Sequence, residues 1–177
     1  MTLPHLTNAN FTIETARPGE APLVSALAEE IWNRHYPGII SQAQIDFMLD
    51  QRYAPVPLAK RLEQPGTRLL IARLGGQPVG FALLAPANDT PDEMMLHAIY
   101  LHPDHHGKGH GRRFMEHVVE YARQQHCRTI VLNVNRRNIK AINFYFRAGF
   151  TIRSAVDLQL GRGFVANDFV MGCDLTI

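Results

Sequence analysis

Hydrophobic and polar positions change their period several times along the chain, and each change marks an element. Phe11 to Thr15 alternates and is rich in β-formers, predicting a short strand that ends at Arg17-Pro18-Gly19. From Pro22 to Arg34 the spacing lengthens: Leu23, Leu27 and Ile31, with Ala26 and Ala28 between, make one face of a helix that stops near Pro37-Gly38. Ser41 is placed to cap a second helix carrying Ile45, Met48 and Leu49. A third, short helix follows Pro57 with Leu58 and Leu62, and ends at Pro65-Gly66. Arg68 to Arg73 then reads as a strand, Gly75-Gly76 as a hairpin turn, and Pro78 to Leu84 as its partner. Asp89 to Pro91 is a loop before a strand from Glu93 to Leu101. A helix-like run covers Arg112 to Gln125, an apolar-framed strand Thr129 to Val134, and a helix Asn138 to Ala148, closed by Gly149. Ile152 to Leu160 and Val165 to Leu175 form a last hairpin, turning at Gly161-Arg162-Gly163.

The resulting order is strand, three helices, β-hairpin, strand, helix, strand, helix, hairpin. That is an α/β (α+β) arrangement on one mixed sheet, antiparallel early and with parallel crossovers in the middle. At 177 residues it is most simply one domain with a real core. Hydrophobic residues make up 46% and charged residues 19%, which fits a folded globular chain. Eighteen basic against sixteen acidic side chains leave a net charge of +2 and no basic run, so nucleic acid is not an expected partner. Cys127 and Cys173 are the only cysteines, too few for a disulfide framework. Met1-Thr2-Leu3-Pro4-His5 lacks the basic and apolar regions of a leader, and no stretch approaches the roughly 20 apolar residues of a membrane span. A cytoplasmic location is expected, without membrane association.

The chemistry concentrates at His105-His106-Gly107-Lys108-Gly109-His110-Gly111-Arg112-Arg113, between a strand and a helix. Alternate glycines let a backbone approach a ligand closely, and the following helix start offers unpaired N–H groups to a phosphate. A nucleoside-triphosphate loop would need Ser or Thr after Gly107-Lys108, where Gly109 stands. A dinucleotide fingerprint would need GxGxxG and an acid on the next strand, which ends instead in Asn133 and Asn135. The histidines 102, 105, 106 and 110 lack a carboxylate at useful spacing apart from Asp104, and a glycine loop does not preset zinc geometry, so no metal is expected.

His106-Gly107-Lys108-Gly109-His110-Gly111 resembles the acetyl-CoA pyrophosphate loop of the GNAT superfamily of N-acetyltransferases, Gln/Arg-x-x-Gly-x-Gly/Ala, with His106 where that family has Gln or Arg. A second block, Asn138 to Phe150, is similar to the family's NxxAxxxYxxxGF helix, and Ile99-Tyr100-Leu101-His102-Pro103 to its preceding strand end. The resemblance covers about Thr67 to Leu175. It implies a mostly antiparallel sheet of about seven strands flanked by helices, with a splayed parallel pair at the cofactor site. One GNAT-like domain would span 1–177, with a helical acceptor lid at 20–66 and an acetyl-CoA-binding core at 92–150.

Roles follow from the resemblance. The backbone from Gly107 through Lys108, Gly109, His110 and Gly111 to Arg112 would cradle the pyrophosphate, headed by His106. Ile99, Tyr100 and Leu101 would meet the pantetheine arm, with Asn133 and Asn138 at the splayed strand ends. Tyr145 matches the family's general acid, although it also reads as one more aromatic beside Phe144 and Phe146. Glu93 and His97, four apart on one strand, are both candidates for the base. His35 and Tyr36, near Trp32, and Asp168, in the last strand, are candidate acceptor contacts. Neither cysteine lies in the loop or the tyrosine block, so direct transfer from acetyl-CoA to a primary amine in a ternary complex is expected. The alternative is a non-catalytic acyl-CoA-binding sensor. The acceptor is left open between small molecules and peptides, and the resemblance also admits a homodimer.

Overall fold

A computed structural model of the chain describes residues 10–17, 19–87 and 90–176. The first five residues, Pro18 and Asp89 of the expectations above lie outside these. The elements run in the anticipated order: β1 (Phe11–Thr15), α1 (Ala21–His35), α2 (Gln42–Tyr53), α3 (Pro55–Leu62), β2 (Arg68–Leu74), β3 (Gln77–Pro86), β4 (Glu93–Leu101), α4 (His110–Gln124), β5 (Thr129–Asn135), α5 (Ile139–Arg147), β6 (Thr151–Gly161) and β7 (Phe164–Asp174). Several boundaries differ by one or two residues from the reading above, and two helix starts have a clear physical reason. The third helix starts at Pro55, because a proline in the first turn gives up an N–H that has no helical partner anyway. The loop helix starts at His110, two residues earlier than expected, because Gly109 turns left-handed there, at φ 81°, and caps it. Ser41 caps α2 as expected, its hydroxyl accepting from the Gln44 N–H at 3.2 Å.

The seven strands form one sheet in the order β1-β2-β3-β4-β5-β7-β6. Every neighbour pair is antiparallel except β4 with β5. One face carries α4 and α5 over Phe114, Val118, Ile130 and Phe150. The other carries α1, α2 and α3 over Val24, Ile31, Ile45, Leu58 and Phe81. Central strands β2 and β3 are apolar on both faces because both are covered.

β4 departs from regular pairing. Leu83 pairs with Ala98, yet Leu84 pairs with Leu96, so His97 is one residue more than β3 can match. Such a bulge bends a strand and reverses which residues face which side. Met94 and Leu96 pack into the α4/α5 core before it; Ile99 and Leu101 do so after it, while Ala98 and Tyr100 turn to the α1–α3 layer. On its other edge β4 pairs with β5 only at Glu93–Thr129, Met94–Ile130 and Met95–Val131. Beyond that β5 stays with β7 as far as Asn135–Asp168. The sheet therefore opens into a fork between β4 and β5.

Gly80 faces the upper part of β4. A β-carbon there would sit 2.5 Å from the Tyr100 carbonyl oxygen, which is backbone and has no freedom to withdraw. Gly80→Ala is expected to cost about 1–3 kcal/mol by overpacking, lowering Tm by roughly 2–4 °C for each kcal/mol. Thermal unfolding beside a Gly75→Ala control, where a β-carbon meets open space but keeps the positive φ, separates the clash from backbone strain.

Candidate active site

The fork opens into a cleft of about 1310 Å³ that runs from the glycine loop to the helices of the opposite face. Its β4 edge, from Leu96 to Leu101, has no strand partner on the β5 side. Leaving such N–H and C=O groups unpaired in a dry site would cost about 1–3 kcal/mol each. Facing a cleft, they are free to pair with an extended ligand, apart from the Leu101 carbonyl, which His106 takes.

The loop side follows from local backbone geometry. Gly107 and Gly109 both have positive φ, 73° and 81°, which a side chain would strain. Gly111 lies inside α4 with an ordinary backbone, and a β-carbon there would meet the Phe144 ring of α5 at 3.5 Å, an ordinary contact. His110 does not point at the cleft. It is buried and stacks on Phe11 of β1, ring centres 4.5 Å apart, leaving only its backbone N–H for a ligand. Lys108 Nζ donates to the Asp104 carbonyl at 3.0 Å, and Arg112 pairs with Glu116 one turn along.

His106 bridges loop, strand and helix. Its Nε2 meets the Leu101 carbonyl at 2.7 Å, and a carbonyl only accepts, so Nε2 carries the proton. Nδ1 is then the acceptor for the Lys140 ammonium at 2.9 Å. Burial, ahead of the favourable Leu101 bond and the nearby Lys140 charge, keeps this imidazole below its usual pKa. The loop is thereby tied to the last residue of β4 and the first turn of α5.

Asn138 is buried and caps α5, its side chain accepting from the Ala141 N–H. Burial lowers the pKa of His35 on the facing wall of the cleft. Tyr145 is nearly buried between Phe144 and Phe150, with its side chain on the cleft wall; burial raises its pKa and keeps the phenol protonated. Asn133, at the open end of β5, also lines the cleft.

The side toward the helices gathers Tyr36 and Tyr100, whose hydroxyls meet at 3.0 Å. Their rings pack with Trp32, Tyr53 and Phe81. Tyr100 thus turns away from the loop side, a consequence of the bulge, and only its backbone faces the fork. Asp168 lines the same wall, its carboxyl raised by burial. The β6–β7 hairpin closes over it: Gln44 donates to the Val165 carbonyl at 3.2 Å, and Phe47 packs on Phe164.

The two candidate bases separate. His97, the bulge residue, is open to the cleft; the enclosing walls, then Arg61 and Arg52, lower its pKa to about 4, leaving it neutral at pH 7. Glu93 sits at the closed end of the fork, roughly 13 Å down the strand, and pairs with Arg153 at 2.9 Å. Arg52, Arg61 and Lys140 were not anticipated as site residues, since a lone cation on an amphipathic helix reads as solvated.

Comparisons with known proteins agree with this geometry. Residues 26–150 match the Acetyltransferase (GNAT) family. An uncharacterized N-acetyltransferase of Mycobacterium tuberculosis is 30% identical over 152 residues, 86% of this chain and 96% of the relative. The N-alpha-acetyltransferase RimI of the same organism is 31% identical over 62% of this chain and 67% of its own. The crystal structure of the PaiA N-acetyltransferase of Thermoplasma acidophilum, in complex with coenzyme A, superposes with a TM-score of 0.77 at 21% identity, over 93% of this chain and 98% of that one. The chain belongs to the GNAT family of acetyltransferases and is an acetyl-CoA-dependent acyltransferase. Among its described residues no helix is long and apolar enough to cross a membrane.

The field at His97 can be measured directly. Its imidazole is expected to titrate near 4 rather than 6.5, and Arg61→Gln should move it upward because one of the charges opposing protonation is gone. A histidine NMR titration of wild type and variant checks both; a wild-type value near 6.5 would contradict the lowering by burial, and an unshifted Arg61→Gln variant would show that this guanidinium does not act on the ring.

Proposed function

We propose that the protein transfers acetyl from acetyl-CoA to a primary amine directly, within a ternary complex held in the fork. The observation that carries the reading is the unpaired β4 edge, flanked on one side by the glycine loop and Tyr145 and on the other by His97 and the helical layer. The loop N–H groups from Gly107 to Arg112, with the positive end of α4, suit the pyrophosphate. The β4 edge from Leu96 to Leu101 suits the amides of the pantetheine arm, and one of its N–H groups suits the oxyanion formed at the thioester carbonyl. Helices α1–α3 and the β6–β7 hairpin form the wall that receives the amine.

The acetyl transfer then has three proton and charge events. Once the ammonium of the acceptor has lost a proton to water, the neutral amine nitrogen attacks the thioester carbonyl, which becomes an oxyanion. The nitrogen becomes acidic once bonded to carbon, and neutral His97 takes its proton, directly or through water. The carbon–sulfur bond breaks and the thiolate leaves. Tyr145 stands as the donor to that sulfur. A buried phenol whose pKa is raised is a much weaker acid than a thiol near ~8.5, so complete transfer would be uphill. A hydrogen bond that strengthens as charge builds on sulfur supplies the benefit without that cost.

Free CoA release, with acetyl-CoA and acceptor varied together, tests the reading. Sequential kinetics are expected, and a ping-pong pattern would contradict direct transfer. Tyr145→Phe should lower kcat about 100-fold, with acetyl-CoA affinity by calorimetry little changed; an unchanged kcat removes the tyrosine from the chemistry.

A further inference from the structure

The helical wall of the cleft holds two guanidiniums with nothing to bind. Arg52 lies in the last turn of α2 and Arg61 in the last turn of α3, and both side chains are half-buried on the cleft lining. Among the described residues neither makes a hydrogen bond or an ion pair. Elsewhere arginines find carboxylates: Arg34 with Asp104, Arg73 with Glu20, Arg153 with Glu93. Drawing two like charges together out of bulk water, with no counter-ion, is unfavourable, and burial lowers the pKa of Arg61 with Arg52 adding to the effect. Across the cleft stands Asp168, which senses the charge of Arg52 without touching it, while the other carboxylate of the lining, Glu116, is paired with Arg112.

We propose that Arg52 and Arg61 bind a carboxylate on the acceptor, so that the amine substrate is an amino acid or a similarly small molecule bearing both groups. The planar fork of a guanidinium matches a carboxylate, and two of them on one wall fix its orientation. The acceptor's ammonium end is then directed away from the cations, toward Asp168 and His97. Polyamines and other polycations meet two like charges at this wall and are disfavoured. The inference rests on the transfer reading above. It also bears on His97: burial does most to hold the imidazole low, and a bound carboxylate offsets the smaller share that comes from Arg61 and Arg52.

The experiment compares the twenty amino acids, their carboxamides, the matching decarboxylated amines, spermidine, and short peptides with an acidic second residue, all by free CoA release. Free amino acids are expected to exceed their carboxamides and decarboxylated amines about 10- to 100-fold in kcat/KM. The double variant R52Q/R61Q should lose that preference through a raised KM, and R52K/R61K should recover part of it. Faster turnover of the acidic peptides than of any free amino acid, lost in R52Q/R61Q, overturns the small-molecule assignment even though the two arginines still read a carboxylate. Equal or better turnover of carboxamides, plain amines or spermidine overturns the anchor and leaves acetyl transfer standing. If no compound turns over, calorimetry of the CoA-saturated protein with the same compounds decides. Carboxylate-selective binding lost in R52Q/R61Q supports the anchor while contradicting transfer, and binding without that selectivity, or none, overturns it.

Discussion

β4 is asked to pair with β3 along its whole length and with β5 along its first three residues, and His97 is the residue that fits neither pairing. A bulge at that point bends the strand, and the fork between β4 and β5 begins beside it. Three features depend on this. The backbone edge from Leu96 to Leu101 is released from the sheet and faces a cleft. Tyr100 is turned to the helical layer while Ile99 and Leu101 keep the α4/α5 core. The imidazole of the extra residue is presented to the cleft, where no strand neighbour competes for it.

The fork needs bracing, since each strand past the branch has lost one partner. β5 is held by β7 to its last residue. β4 is held by β3, with Gly80 leaving room for the Tyr100 carbonyl, and by His106, which takes the Leu101 carbonyl and passes the connection to Lys140 on α5. On the far side Asn138 caps α5, and the hydroxyl of Tyr36 beside that of Tyr100 ties the end of α1 to β4. The loop, the fork and the helical wall are therefore joined through side chains that are themselves fixed, which is what positioning two substrates against each other requires.

Much of this was legible along the chain. The order of elements, the Ser41 cap and the phosphate character of the glycine loop rest on local rules of period, capping and turn chemistry, and local rules survive folding; the Asn138–Tyr145 block was legible through family resemblance. What local rules cannot carry is register. His97 looks like any strand residue until β3 is laid beside it, so its unmatched position, the reversal of faces beyond it and its separation from Glu93 all belong to the partner strand. His110 was read as part of the phosphate loop by its neighbours, whereas its ring is claimed by Phe11, about 100 residues earlier in the chain. Arg52 and Arg61 fall on two different short helices, and only the packing of α2 against α3 brings both to one wall.

The central claim is that the fork, rather than any other surface, receives acetyl-CoA with its thioester beside the released edge of β4. A crystal structure of the protein with acetyl-CoA tests this most directly. The account predicts the pyrophosphate on the N–H groups between Gly107 and Arg112, the pantetheine amides paired with β4 between Leu96 and Leu101, and the thioester sulfur within hydrogen-bond reach of Tyr145. A pyrophosphate bound away from that loop, or a cofactor arm that leaves the β4 edge unpaired, would contradict it.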